Sequence, residues 1–286
     1  MTRDDHEDHE ARRNLDHAYR QHLTSGDLLL LADVAERRPL PAALASPELE
    51  RVVFGPDPTL DPSHAASPFL TFAVAVHRVT ERLEAMTYVN EWVGPRRRVP
   101  VFGVDRLRAI LADPLHRFFF VELLGSYTHV VSGSMWTATR RGWRRRRFSE
   151  LDPLQLVGLL DAVPAAERPG VLRRLGDLAL FLTGVFPDHT ASTPLGRPFA
   201  PLPLLRSAGL DPTQREDISA NAFDLLELLG ARWYRLATRL SPAPSGSVRA
   251  LDAIAEGFSD ARRVLNVVTD TYLFPLREQW FGRPAA

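Results

Sequence analysis

Ser67-Pro68-Phe69-Leu70-Thr71-Phe72-Ala73-Val74-Ala75-Val76-His77-Arg78-Val79-Thr80-Glu81-Arg82-Leu83-Glu84-Ala85-Met86 is the stretch on which the fold turns. A serine hydroxyl accepts from an amide of the first helical turn, and a proline placed just after it has no amide hydrogen to satisfy. Ser67-Pro68 is therefore a helix start. Phe72, Val76, Val79, Leu83 and Met86 then advance by alternating fours and threes, the spacing of one buried stripe, which predicts a helix within 68–92.

The same start is written at Ser46-Pro47, Asp113-Pro114 and Asp211-Pro212, and Ser149-Glu150-Leu151-Asp152 and Thr213-Gln214-Arg215-Glu216 read as capping boxes. Helical spacing recurs in Phe223, Leu226, Leu229, Trp233, Leu236 and Leu240 over 213–240. It recurs again in Leu251, Ile254, Phe258, Ala261, Leu265, Val268 and Tyr272 over 247–273. The prolines and glycine of Ser241 to Ser247 forbid one continuous helix, so the two should pack antiparallel. Pro275 then ends or kinks the last of them, ahead of Trp280 and Phe281.

One segment breaks the helical pattern. Trp136, Thr137 and Thr139 favour extended backbone and Arg141-Gly142 offers a turn, which predicts a small β-hairpin around 133–148. Proline-rich polar stretches at 55–67 and 187–203 read as loops. The expected fold is all-α, a bundle-like helical body with that single hairpin. Residues 1–10 are expected to be a disordered acidic tail, and 11–286 a single helical domain with room for a soft boundary in the loop 187–203.

Composition narrows function mostly by exclusion. The 286 residues carry 35 basic and 35 acidic side chains, all the basic ones are arginine, and cysteine is absent. Without lysine there is no P-loop lysine, kinase strand lysine or Schiff base; without cysteine there is no thiol nucleophile, disulfide or cysteine–metal site. Zero formal charge leaves no whole-molecule field to draw the chain onto nucleic acid or membrane, so any such attraction is local. The acidic start lacks the basic and apolar regions of a secretory signal, and the expected location is cytoplasmic. Phe118 to Trp136 has the length of a membrane span, but Glu122, His129 and its Ser/Thr positions dilute it, and no span is expected.

Two runs carry a resemblance. Trp143-Arg144-Arg145-Arg146-Arg147-Phe148-Ser149-Glu150-Leu151-Asp152-Pro153 and Leu175-Gly176-Asp177-Leu178-Ala179-Leu180-Phe181-Leu182-Thr183-Gly184-Val185-Phe186-Pro187 resemble stretches of uncharacterised actinobacterial helical proteins, over about the middle half of the chain. That resemblance brings no assigned activity and so implies no catalytic residues.

Three groups of residues are candidates for chemistry. Arg96, Arg97 and Arg98 follow Gly94-Pro95, and Arg140, Arg141, Arg144, Arg145, Arg146 and Arg147 lie on the expected hairpin. Guanidinium groups bind phosphates bidentately and Trp136 or Trp143 can stack on a base. Side chains alternate along a strand, however, and charge also protects an exposed strand edge from aggregation. On the helix opened by Asp113-Pro114, Leu115, Phe119, Glu122, Ser126 and His129 share a stripe with Tyr127 beside it. A carboxylate, an imidazole and a phenol there could serve acid–base catalysis, or simply face water or a structural partner.

Asp177 is the one charge between Leu175 and Phe186, and it is expected to be a buried structural carboxylate with an arginine or histidine partner. Gly176 and Gly184 beside it suit close helix approach. The nine histidines form no metal pattern, and no Gly-x-Ser-x-Gly or Gly-x-Gly-x-x-Gly frame occurs, so no metal or cofactor is expected. The leading expectation is a non-enzymatic interaction or ligand-binding protein that presents an arginine-rich hairpin to an anionic or protein partner. The first alternative is a nucleic-acid-associated protein using the same arginines, and the second is an enzyme built on Glu122, Tyr127 and His129.

Overall fold

The computed structural model describes residues 3–35, 38–55, 66–128, 132–139, 142–194, 201–211, 221–242 and 245–274, and over 3–12, 35 and 132–148 it is the backbone that is described. Among these residues the order is α1 (Arg3–His22), α2 (Ser25–Ala35), α3 (Leu40–Leu44), α4 (Pro47–Phe54), α5 (Pro68–Ala85), β1 (Val89–Gly94), β2 (Arg97–Val101), α6 (Val104–Ala112), α7 (Pro114–Ser126), β3 (Ser132–Thr139) and β4 (Gly142–Ser149). There follow α8 (Pro153–Leu160), α9 (Arg168–Val185), α10 (Pro187–Ser192), α11 (Pro201–Ser207), α12 (Ala222–Leu240), α13 (Gly246–Glu256), α14 (Phe258–Val268) and a π-helical turn, Thr269–Leu273. The chain is mostly helical, and the hairpin expected at 133–148 forms as β3 and β4.

The helix starts rest on their caps. Ser46 Oγ accepts from the Leu49 amide at 3.1 Å, Ser67 Oγ from Leu70 at 3.2 Å and Asp113 Oδ1 from Leu115 at 2.8 Å, each followed by proline. Asp211-Pro212 and the box at Thr213 lie largely outside the described residues, and α12 opens instead at Asn221, whose Oδ1 accepts from the Asp224 amide at 3.0 Å. The box at Ser149 is displaced. Asp152, itself an acceptor followed by Pro153, caps α8 through the Leu154 and Gln155 amides at 2.9 and 3.2 Å, so that helix begins three residues later.

Several boundaries differ from expectation. The helix from Ser67 stops at Ala85, because Val89 and Trp92 enter a second hairpin closed by Gly94-Pro95-Arg96. The helix expected over 247–273 breaks at Gly257 into α13 and α14, although every residue of its predicted stripe is buried. Helices α12 and α13 run antiparallel, with Thr238 bonded to Asp252 and Arg235 to the Ala255 carbonyl. The acidic start, expected as a disordered tail, runs in α1 from Arg3; residues docked near Tyr19 let helix propagate outward once nucleated.

The expected organisation is a single domain with a soft boundary at 187–203. The chain divides into two compact units, Met1–Tyr88 with Phe102–Thr128 and Val267–Ala286, and Val89–Val101 with His129–Asn266. Within 187–203 the chain forms α10, whose Thr190 hydroxyl donates to the Leu182 and Phe186 carbonyls, both at 2.9 Å, tying it to α9. Each unit is organised around one deeply buried helix. In the first it is α5, with every residue from Phe69 to His77 buried, and in the second it is α9. Helix α9 admits its neighbours by omitting side chains. A Cβ on Gly176 would collide with the Tyr234 ring of α12, and one on Gly184 would sit 2.6 Å from Leu265 Cβ of α14.

Candidate anion-binding site

Strands β3 and β4 pair antiparallel without a bulge from Ser132↔Ser149 to Thr139↔Gly142, and no third strand joins them among the described residues. Arg147, Arg146, Arg145 and Arg144 stand opposite Ser134, Met135, Trp136 and Thr137 in unbroken succession. Arg140 and Arg141 lie outside the described residues. Ser149 and Asp152 end the strand and start α8, and Glu150 between them pairs with Arg174 of α9 at 2.9 Å, fixing the root of the ribbon to its unit.

The second arginine cluster sits on the β1–β2 turn. Proline at 95 followed by a positive φ of 55° at Arg96 is the backbone pattern of a type II turn, in which glycine is the usual second residue. Asp188 of α10 compensates: its Oδ1 accepts from the Arg96 amide at 2.9 Å and from the Trp92 indole at 2.7 Å. Partial burial alone would raise the Asp188 carboxyl. The indole and amide donors, with the charges of Arg98 and Arg96, outweigh that and hold it below the ordinary range. Arg96 and Arg97 are exposed and Arg98 half-buried, so the turn already holds one internal anion.

No family model, curated protein or solved structure matches the chain. The site therefore stands on its own residues.

The acid–base stripe is only partly assembled. Phe119 is buried and Glu122 half-buried, while Ser126 is exposed at the end of α7. Glu122 Oε1 lies 3.9 Å from Nε2 of His22 in α1, a histidine absent from the predicted stripe. Tyr127 is buried at the C-cap of α7, and His129 lies outside the described residues. Among the described residues no helix is long and apolar enough to cross a membrane, and α7 ends at Ser126 inside the stretch 118–136.

Asp177 is 8% exposed. Its Oδ1 accepts from the Tyr234 hydroxyl at 2.8 Å and its Oδ2 lies 3.9 Å from Arg173 Nε. The phenol comes from α12, through the gap left by Gly176, and spacing along α9 gave no sign of it.

Three polar clusters escaped the sequence reading, because each joins elements far apart in the chain. In the first unit, Tyr19 of α1 and His77 of α5 share a hydrogen bond of 3.1 Å inside a cage that includes Phe69 and Phe118. Burial, and then the Arg117 charge, push the His77 imidazole down to about 3, so it is neutral. Burial likewise pushes the Tyr19 phenol up.

Also in that unit, Glu50 accepts from Arg78 at 2.7 Å, Arg82 at 2.5 Å and Tyr272 at 2.7 Å, and Arg82 lies over the Tyr272 ring. Burial opposes ionisation of Glu50, but these donors win and hold it below its ordinary range. In the second unit, Glu91 of β1 receives Arg262 at 3.0 Å and Arg263 at 2.7 Å. Arg262 also reaches Glu227 at 3.3 Å and Asn266 at 2.8 Å, and Asn266 donates to the Gly184 carbonyl. With a side chain only 5% exposed and lying over Phe223, Arg262 is a structural cation.

Proposed function

We propose that this protein is a non-enzymatic, cytoplasmic interaction protein that binds an anionic partner through the β3–β4 ribbon. One observation carries the reading: four consecutive arginines, Arg144 to Arg147, occupy one strand of a two-stranded ribbon that no further strand flanks among the described residues. The other arginine clusters each have a carboxylate beside them within the fold. Arg78 and Arg82 serve Glu50, Arg262 and Arg263 serve Glu91, and the Arg96 turn is closed on Asp188. A chain of zero net charge binds anions only where cations are gathered locally, and the ribbon is the densest gathering in the sequence.

Guanidinium groups suit this role, since each presents a planar donor fork to a carboxylate, sulfate or phosphate. The test is fluorescence anisotropy of labelled heparin with the intact protein across a salt series. Binding should weaken with salt, with a log–log slope that falls by about one unit for each arginine contact removed by substitution to glutamine. Absence of binding at low salt, or affinity unchanged when Arg144 to Arg147 all become glutamine, overturns the proposal.

A further inference from the structure

Resting on that reading, we infer that the ribbon takes single-stranded nucleic acid, and takes it on one face. The register divides the ribbon cleanly. Ser134 pairs with Arg147, Trp136 with Arg145 and Ala138 with Trp143, so these six positions share a face. Gly133 with Phe148, Met135 with Arg146 and Thr137 with Arg144 form the other. Two of the four arginines fall on each face, so charge alone does not distinguish them.

The tryptophans do. Both of the ribbon's indole positions, 136 and 143, fall on the face that also holds 145 and 147. Positions 136 and 143 are diagonal neighbours across the pair, about 7–8 Å apart at the backbone, and positions 145 and 147 lie about 6.6 Å apart along the strand. Two indole positions and two guanidinium positions on one face make the combination that single strands use: bases stack on aromatic rings while cations follow the phosphates.

A duplex keeps its base faces stacked inside and has none to offer an indole. A sulfated or phosphorylated polymer without bases has no use for one. A ribbon charged only to guard its edges needs arginines, but it has no need of both tryptophans on one side. Single-stranded nucleic acid is the anionic partner for which positions 136, 143, 145 and 147 all have a role.

The experiment compares three labelled probes on the full chain: oligothymidylate, a duplex of mixed sequence, and heparin. The proposal expects oligothymidylate to bind more tightly than the duplex. The double substitution Trp136→Ala with Trp143→Ala should weaken oligothymidylate by about five- to a hundredfold per tryptophan and leave heparin within a factor of two. Trp136→Phe with Trp143→Phe, which keeps a ring at each position, should restore most of the loss and guards against a folding defect. Arg145→Gln with Arg147→Gln should cost oligothymidylate more than Arg144→Gln with Arg146→Gln.

Heparin binding together with oligothymidylate affinity indifferent to the tryptophans, equal losses from the two arginine pairs, or a preference for duplex each overturns this inference and leaves the anion-binding reading standing. Failure of all three probes to bind takes both down.

Discussion

At the scale of single residues, the sharpest consequences come from groups held away from their ordinary ionisation. His77 titrates near 6.5 in an unfolded chain but is held to about 3 in the fold, so the native state binds fewer protons between those values. Its contribution to stability is complete above about pH 6.5 and is lost as pH falls, by about 1.4 kcal/mol per pH unit. Urea unfolding between pH 6.5 and 5, where carboxylates remain ionised, should show that slope, and His77→Gln should flatten it. An unchanged slope would mean that another histidine carries it.

Arg96 offers a second test, since its left-handed backbone costs an arginine about 1–2 kcal/mol that glycine avoids. Asp188 needs only the amide of that residue, so Arg96→Gly should leave stability unchanged or raise it by up to about 1 kcal/mol. A clear loss of stability in thermal unfolding would show that the side chain holds the turn.

At the scale of elements, much was legible from local chemistry and the rest was hidden by distance. Ser46, Ser67 and Asp113 announce α4, α5 and α7, because a cap acceptor and the proline after it act within one turn. The stripes at 223–233 and 251–272 are buried as their spacing implies. The same periodicity overran its true ends at 86 and 257. Nothing in a 3.6-residue repeat registers that Glu91 will meet Arg262 and Arg263 from 171 and 172 residues away and hold β1 as a strand. Glu91→Ala should therefore destabilise the protein by about 1.5–3 kcal/mol, since it removes the carboxylate shared by Arg262 and Arg263 and leaves the buried Arg262 with Glu227 alone as its anion. Ser67→Ala, which removes one cap, should cost about 1 kcal/mol in the same denaturation assay.

Close helix approach was half visible. Gly176 and Gly184 read as small residues for packing, but the Tyr234 ring filling the first gap lies on a helix whose placement no local pattern reveals. Gly176→Ala should cost about 1–3 kcal/mol by overpacking, with a lower midpoint in thermal unfolding. Tyr234→Phe relieves nothing there and leaves Asp177 without its phenol, and should cost a similar amount.

At the scale of the whole molecule, the sequence promised a helical body and the structure provides one, divided in a way that no composition shift marks. Neither unit is a continuous stretch, for the chain passes from one to the other at 88/89, 101/102, 128/129 and 266/267. Linker composition, which pointed to 187–203, reports where a chain is flexible and not which residues share a core. The candidate site followed the same division. The arginine run and its hairpin were legible because charge and β-propensity are local, whereas the closure of Arg96 on Asp188 joins residues 92 apart.

That interleaving bears on how the protein is made. Glu50 of the first unit hydrogen-bonds Tyr272, 222 residues later, and Tyr272 and Leu273 are buried in that same unit. A ribosome adding about 5–20 residues per second leaves the early segments waiting on the order of ten seconds or more for those partners. The apolar surface they will cover stays open on the nascent polypeptide until the 222 residues between Glu50 and Tyr272 have been added.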